Sequence, residues 1–220
     1  MRLSTIVVAA FSLTLGTVAH ANTITQSLDT GLLVTDLNGV PLGLKLFDST
    51  LGTLTGVTFD VVGRMTATGN VTNTASQKQS FSVVEDAAFS FTDAGGPLDS
   101  LLGGLNVDPQ ATQKYKMVAP RVANSFGPYD VSTTPVELTG PLAAFERAHG
   151  GIDKILVSTL TGTDERGGGG NVSSKIATEA EAQIDVTYTY TPTPIHVPEP
   201  MTLAVLGVGL LGLGTLRRRG

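Results

Sequence analysis

Apolar and polar residues alternate with period two through much of this chain, and that pattern restricts those segments to half-buried strands. Between Val57 and Val71, the residues Val57, Phe59, Val61, Met65, Ala67 and Val71 share one face. Thr58, Asp60, Arg64, Thr66, Thr68 and Asn70 fall mostly on the other. Successive side chains of a strand point to opposite sides, so such a segment covers a core with one face and meets water with the other. Later, Ile184, Val186, Tyr188 and Tyr190 oppose Asp185, Thr187 and Thr189, the signature of a half-buried antiparallel strand. Gly63 and Gly69 interrupt the earlier segment and read as bends or bulges.

Further strands are expected at Gly43–Phe47, Gln79–Val84, Ala88–Thr92, Tyr115–Pro120, Thr133–Leu138 and Lys154–Thr163. Turn signals separate them: Asp36-Leu37-Asn38-Gly39, Asp93 to Pro97, Gly127-Pro128 and Gly167 to Gly170. Pro141 to His149 reads as a short helix, with Leu142, Phe145 and Ala148 at helical spacing. Many short strands joined by Gly/Pro turns predict an all-β fold, an antiparallel β-sandwich. No repeat of fixed period is present.

The two ends of the sequence read as addresses. Arg2, the apolar stretch Ile6 to Leu15 and Ala19-His20-Ala21 form an export signal over residues 1–21, with cleavage after Ala21. At the other end, Pro198-Glu199-Pro200 precedes an uncharged run from Met201 to Leu216, then Arg217, Arg218 and Arg219. A helix of that run covers roughly 24 Å, short of the ~30 Å hydrocarbon core. Arginines directly behind it hold it with the body outside and the tip in the cytoplasm. The glycines Gly207, Gly209 and Gly212 match a dinucleotide fingerprint by letter, but no strand precedes them and no acidic partner follows. The expected plan is a signal peptide (1–21), a β-sandwich domain (22–190), a Pro-rich stalk (191–197) and a sorting segment (198–220) with a transmembrane helix at 201–216.

The Pro-Glu-Pro motif, apolar helix and arginine cluster together resemble the PEP-CTERM sorting signal of Gram-negative bacteria. That resemblance implies export, with passage through the inner membrane to the cell surface or extracellular matrix. It also implies processing at the motif by an exosortase, an integral-membrane transpeptidase, and a link to exopolysaccharide and biofilm. Separately, the stretch from Leu46 to Val57 (Phe47-Asp48, then Leu51-Gly52, Leu54 and Val57) resembles the opening of the choice-of-anchor E domain, and Asn70 to Thr74 is similar to its next strand. Apart from that resemblance, the residues themselves make Phe47, Leu51, Leu54 and Val57 expected buried anchors, with Gly52 turning the chain between two strands.

Composition narrows the chemistry. With no cysteine, thiol catalysis, thiolate zinc and iron–sulfur clusters are excluded, and the exported body relies on packing alone. The whole chain has 14 Lys and Arg against 19 Asp and Glu. Without Arg2, Glu199 and Arg217–Arg219 the body carries 10 against 18, a net charge of −8. Such a surface repels nucleic acid and anionic lipid and keeps the protein soluble. His149 is the single histidine of the mature domain, so no zinc cluster of histidines is available. Neither Ser125 nor Ser158 lies in a nucleophile-elbow sequence. The adjacent pairs Glu85-Asp86 and Asp164-Glu165 point to opposite strand faces and make no glycosidase dyad. The body lacks tryptophan for sugar stacking. Asp36-Leu37-Asn38-Gly39 and Asp93-Ala94-Gly95-Gly96 offer oxygen ligands for calcium, and read equally well as turn chemistry. The expected protein is non-catalytic, without a cofactor or bound nucleic acid. The alternative is a module that binds polysaccharide or calcium.

Overall fold

The computed structural model describes residues 21–138 and 141–193. In chain order its strands are β1 (Asn22–Asp29), β2 (Leu33–Val34), β3 (Val40–Asp48), β4 (Gly52–Asn73), β5 (Gln79–Thr92) and β6 (Gln110–Val118). They continue with β7 (Ala123–Ser132), β8 (Val136–Leu138), β9 (Glu146–Arg147), β10 (Gly151–Gly167) and β11 (Val172–Pro192). One sheet runs in the order β1-β11-β4-β7, with β2 beside β11 and β8 beside β4; the other runs β6-β5-β10-β3-β9. Every pairing is antiparallel except the short β3–β9 contact. A single turn of helix, α1 (Asp99–Leu102), caps the β5–β6 connection. The expected helix from Pro141 is a 3-10 turn over Leu142–Phe145.

The two sheets stack through the faces that the alternation marks as apolar. Phe59, Val61, Met65, Ala67 and Val71 of β4 are buried, as are Ile184, Val186 and Tyr188 of β11. They meet Phe81, Val83, Phe89 and Phe91 of β5, Leu42 and Leu44 of β3, and Ile155 and Val157 of β10 in one core. Leu54 is buried with them despite its opposite parity to Phe59. The register shifts by one residue at this point, where Tyr190 faces Leu54 and Thr189 faces Gly56. A one-residue bulge switches the strand to its other face, which brings both residues inward and leaves Val57 half-buried.

Several local expectations change in three dimensions. Gly63 makes no bend in the β4–β11 ladder. A Cβ there would lie 2.5 Å from Val107 Cγ1 and 3.0 Å from Phe89 Cε2, so the glycine makes room for the facing sheet. Gly69 does sit beside a register slip, against β7. Gly127-Pro128 lies within β7, where Gly127 (φ +74°) forms the other side of that slip. Leu51 is 45% exposed and anchors nothing, whereas Phe47 and Leu54 are buried. The strand reading broken at Glu85 to Ala87 is one continuous strand. The chain leaves the sheet later than the start of the expected stalk, since Thr191 pairs with Thr53 and Pro192 with Gly52.

Both open sides of the sandwich are joined by side chains in place of backbone ladders. On one side Gln26 of β1 donates Nε2 to the Lys45 carbonyl (2.7 Å) and accepts the Lys45 amide at Oε1 (3.0 Å). Its amide copies the pairing of a neighbouring strand. On the other, Gln113 of β6 donates to the Ser125 carbonyl (3.1 Å) and accepts from the Gly127 amide (3.2 Å). Tyr188 and Tyr115 hydroxyls reinforce the two seams, each donating at 2.8 Å. Edge backbone groups satisfied in this way are poor templates for pairing with another chain.

Candidate functional site

Register fixes where the chain's two outward leads emerge. Asn22, which follows Ala21 directly, pairs with Tyr190 near the end of β11, and the Thr193 amide donates to the Leu51 carbonyl at 3.0 Å. The first and last described strands therefore enter and leave at the same end of the sandwich. β4 has 22 residues and β11 has 21, a contour of roughly 70 Å at ~3.3 Å per residue. The opposite end, where Asn73 faces Val172, lies that contour away. A tether at one end would project the other far from it.

Of the expected processing residues, only Ala21 falls among the described ones. Ala19, Pro198, Glu199, Pro200, Arg217, Arg218, Arg219 and the helix at 201–216 lie outside them. Among the described residues no helix is long and apolar enough to cross a membrane.

The candidate chemical groups of the body are dispersed. His149 is exposed with its backbone at φ +66°, and its amide donates to Asp48 Oδ1 (3.0 Å). Ser158 Oγ accepts the Gly39 amide (2.9 Å), and Ser125 uses its carbonyl at the Gln113 seam. No hydrogen bond joins either serine to His149 among the described residues. Glu85 and Asp86 do take opposite faces. Glu85 is 2% exposed between the sheets, where its carboxylate accepts Thr163 Oγ1 (2.6 Å) and Thr178 Oγ1 (2.7 Å). No sequence motif marks that burial, but its position does: Glu85 falls in phase with Phe81, Val83, Ala87 and Phe89.

Asp86, on the outer face, has its carboxyl held above the ordinary range, first by burial and then by the charges of Asp108, Glu85 and Asp164. A carboxyl with a raised folded-state pKa favours the fold fully below its unfolded value, and that support is lost as pH rises through the folded value. Asp86→Asn should therefore stabilise the protein at pH 7, by about 0.5 kcal/mol. The gain should vanish near pH 3, a difference that thermal melts at the two pH values will read. A gain of equal size at both would contradict this electrostatic account.

The Asp36 turn is tied to β10, and the turn at Asp93 holds its own backbone. Asp36 Oδ1 accepts the Thr161 amide (2.8 Å) and hydroxyl, which depress its pKa. Asp99 accepts the Thr92 hydroxyl (2.6 Å) and the amides of Asp93 (2.8 Å) and Gly95 (2.6 Å), and its pKa is lowered, by the hydroxyl first. Asp93 accepts the Leu98 amide at 2.7 Å, while burial raises its pKa. Among the described residues no group of three or more His, Asp or Glu is placed to hold a metal.

Beyond the described body, residues 196–219 match the family described as the PEP-CTERM protein-sorting motif. The chain thus carries the signal of an exported protein that an exosortase processes on its way through the membrane to the cell surface. No curated protein matches the chain. Solved structures that align with it include the infectious bursal disease virus Gx strain, at 14% identity over 92% of this chain, and the VP2 subviral particle of that virus, at 12% over 95%. The chain spans 54% of each, and the TM-scores are 0.16 and 0.17, too low to bear on fold or function.

Proposed function

We propose that this protein is a non-catalytic β-sandwich delivered to the cell surface or extracellular matrix, and that the exosortase step releases or reanchors it there, among exopolysaccharide. The match at residues 196–219 carries this reading. The position of β11 supports it, because the last strand ends at Pro192, shortly before that segment begins. Cleavage at Pro198-Glu199-Pro200 would remove no residue of the described sheets.

Intact mass of the protein recovered from cells and from medium tests the proposal. The expected product begins at Asn22 and lacks the chain beyond the Pro-Glu-Pro motif. Replacing Arg217, Arg218 and Arg219 by alanine should leave the C-terminal segment attached in most of the product, because the cationic stop is lost. Full-length protein from Met1 to Gly220 in the cytosol of wild-type cells would refute the proposal.

A further inference from the structure

We propose that the end of the sandwich remote from Asn22 and Pro192 is a docking face for a polyanionic glycan, a chain bearing carboxylate or sulfate groups. Net charge conceals this face. Six of the ten body cations lie at that end: Lys78, Lys114, Lys116, Arg121, Arg166 and Lys175. Within the same stretches (70–82, 114–125 and 165–176) the only carboxylate is Glu165. The domain is acidic along its length and basic at its tip.

The register assembles the patch. Lys114 and Lys116 flank buried Tyr115 and are exposed, roughly 7 Å apart along the strand. Lys114 faces Ser82, and Ser82 faces Arg166, so these cations lie about 10 Å apart across two strand spacings. Arg166 is tied to Asp164 at 2.6 Å, whereas Lys78, Lys114, Lys116 and Arg121 have no acidic partner among the described residues. Asn73, fully buried, fastens the two tip loops together. Its Nδ2 donates to the Gln77 carbonyl (2.8 Å) and the Val118 carbonyl (2.9 Å), and its own carbonyl accepts the Arg121 amide (2.8 Å). Lys78 and Arg121 are thereby carried on one braced platform.

The groups between the cations favour a glycan over other polyanions. Ser76, Gln77 and Ser80 are exposed there and can hydrogen-bond sugar hydroxyls. The aromatic rings at this end, Phe81 and Tyr115, are buried, so bases find no stacking platform. Among the described residues the large exposed apolar side chains at this end are Met117 and Val122, too little for a lipid-inserting face. A long duplex would also lie against the acidic flank, whereas a flexible chain can meet the tip alone. The inference rests on surface delivery only for where such a chain is encountered, and the contact itself is testable in solution.

Processed protein recovered from its host would be titrated with polygalacturonate, neutral dextran, duplex DNA and phosphatidylglycerol vesicles. Polygalacturonate should bind at about 50 mM salt and release by about 300 mM, as counterion-linked contacts do. Lys114→Glu, Lys116→Glu and Arg121→Glu together should weaken it about 100-fold, whereas Lys45→Glu with Lys154→Glu near the other end should leave it unchanged. The milder pair Lys114→Gln and Lys116→Gln, checked by its melting curve, covers the case in which the triple variant misfolds, and should weaken binding about 10-fold. Equal binding of dextran, tighter binding of DNA or vesicles, or indifference to the tip substitutions in a folded variant would each overturn the proposal.

Discussion

Phe47→Ala should lower the stability of the domain by about 3–5 kcal/mol, the usual cost of emptying an aromatic site in a packed core. Phe47 is 2% exposed and lies on β3, yet its ring sits 5.0 Å from that of Tyr190 and 6.0 Å from that of Tyr188, both on the opposite sheet. It closes the sandwich at the end where the chain enters and leaves. The loss is a large share of the 5–15 kcal/mol available to a typical domain. It should lower the melting temperature by roughly 10 °C. Urea unfolding monitored by tyrosine fluorescence will measure it, and Phe47→Leu should recover more than half. A loss under about 1 kcal/mol for the alanine variant would mean that the two sheets are not held together at this ring.

Asn73→Ala should cost about 2–4 kcal/mol through a different mechanism. The side chain is wholly buried and makes three hydrogen bonds, two donated to carbonyls and one accepted from the Ala75 amide at 2.9 Å. Alanine leaves all three partners unmatched, and an unmatched buried polar group costs more than a lost bond returns. Asn73→Asp is the sharper variant. It retains the acceptor for Ala75 but turns both donors into acceptors, and sets a buried carboxylate against two carbonyl oxygens. Such a carboxyl has its folded-state pKa raised, so the deficit should be full at pH 7 and shrink as pH falls towards the unfolded value near 4. Amide exchange should localise the effect of either variant to the two tip loops. A uniform loss of protection across β4 and β11 would show that Asn73 supports the whole sandwich, not its tip.

These two residues illustrate how unevenly structure can be read from sequence. The burial of Phe47 follows from an apolar residue inside a strand-like segment, and the partners Tyr188 and Tyr190 sit in a second segment with its own clear alternation. Their meeting does not follow, because no local pattern says which strands will face one another. Asn73 is harder still. Asn70 to Thr74 reads as strand, and nothing local shows that the Asn73 side chain bonds Gln77 and Val118, 4 and 45 residues away. Glu85 misleads in the opposite direction. A carboxylate in an apolar run looks like an interruption, and it splits one strand into two until the Thr163 and Thr178 hydroxyls are found on either side of it.

Strand character, the inward face of each long strand and the sorting segment at residues 196–219 are properties of the sequence alone, because each depends on residues a few positions apart. Period two states which side chains share a face, and the Pro-Glu-Pro motif, the uncharged run and the arginines behind it are matched as a sorting motif by their order alone. Sheet order, the one-residue bulge that turns both Leu54 and Phe59 inward, the glutamine seams and the separation of a basic tip from an acidic flank belong to the tertiary structure. Each of these arises from residues brought together across tens of positions, where the energy is decided by which surfaces exclude water from one another.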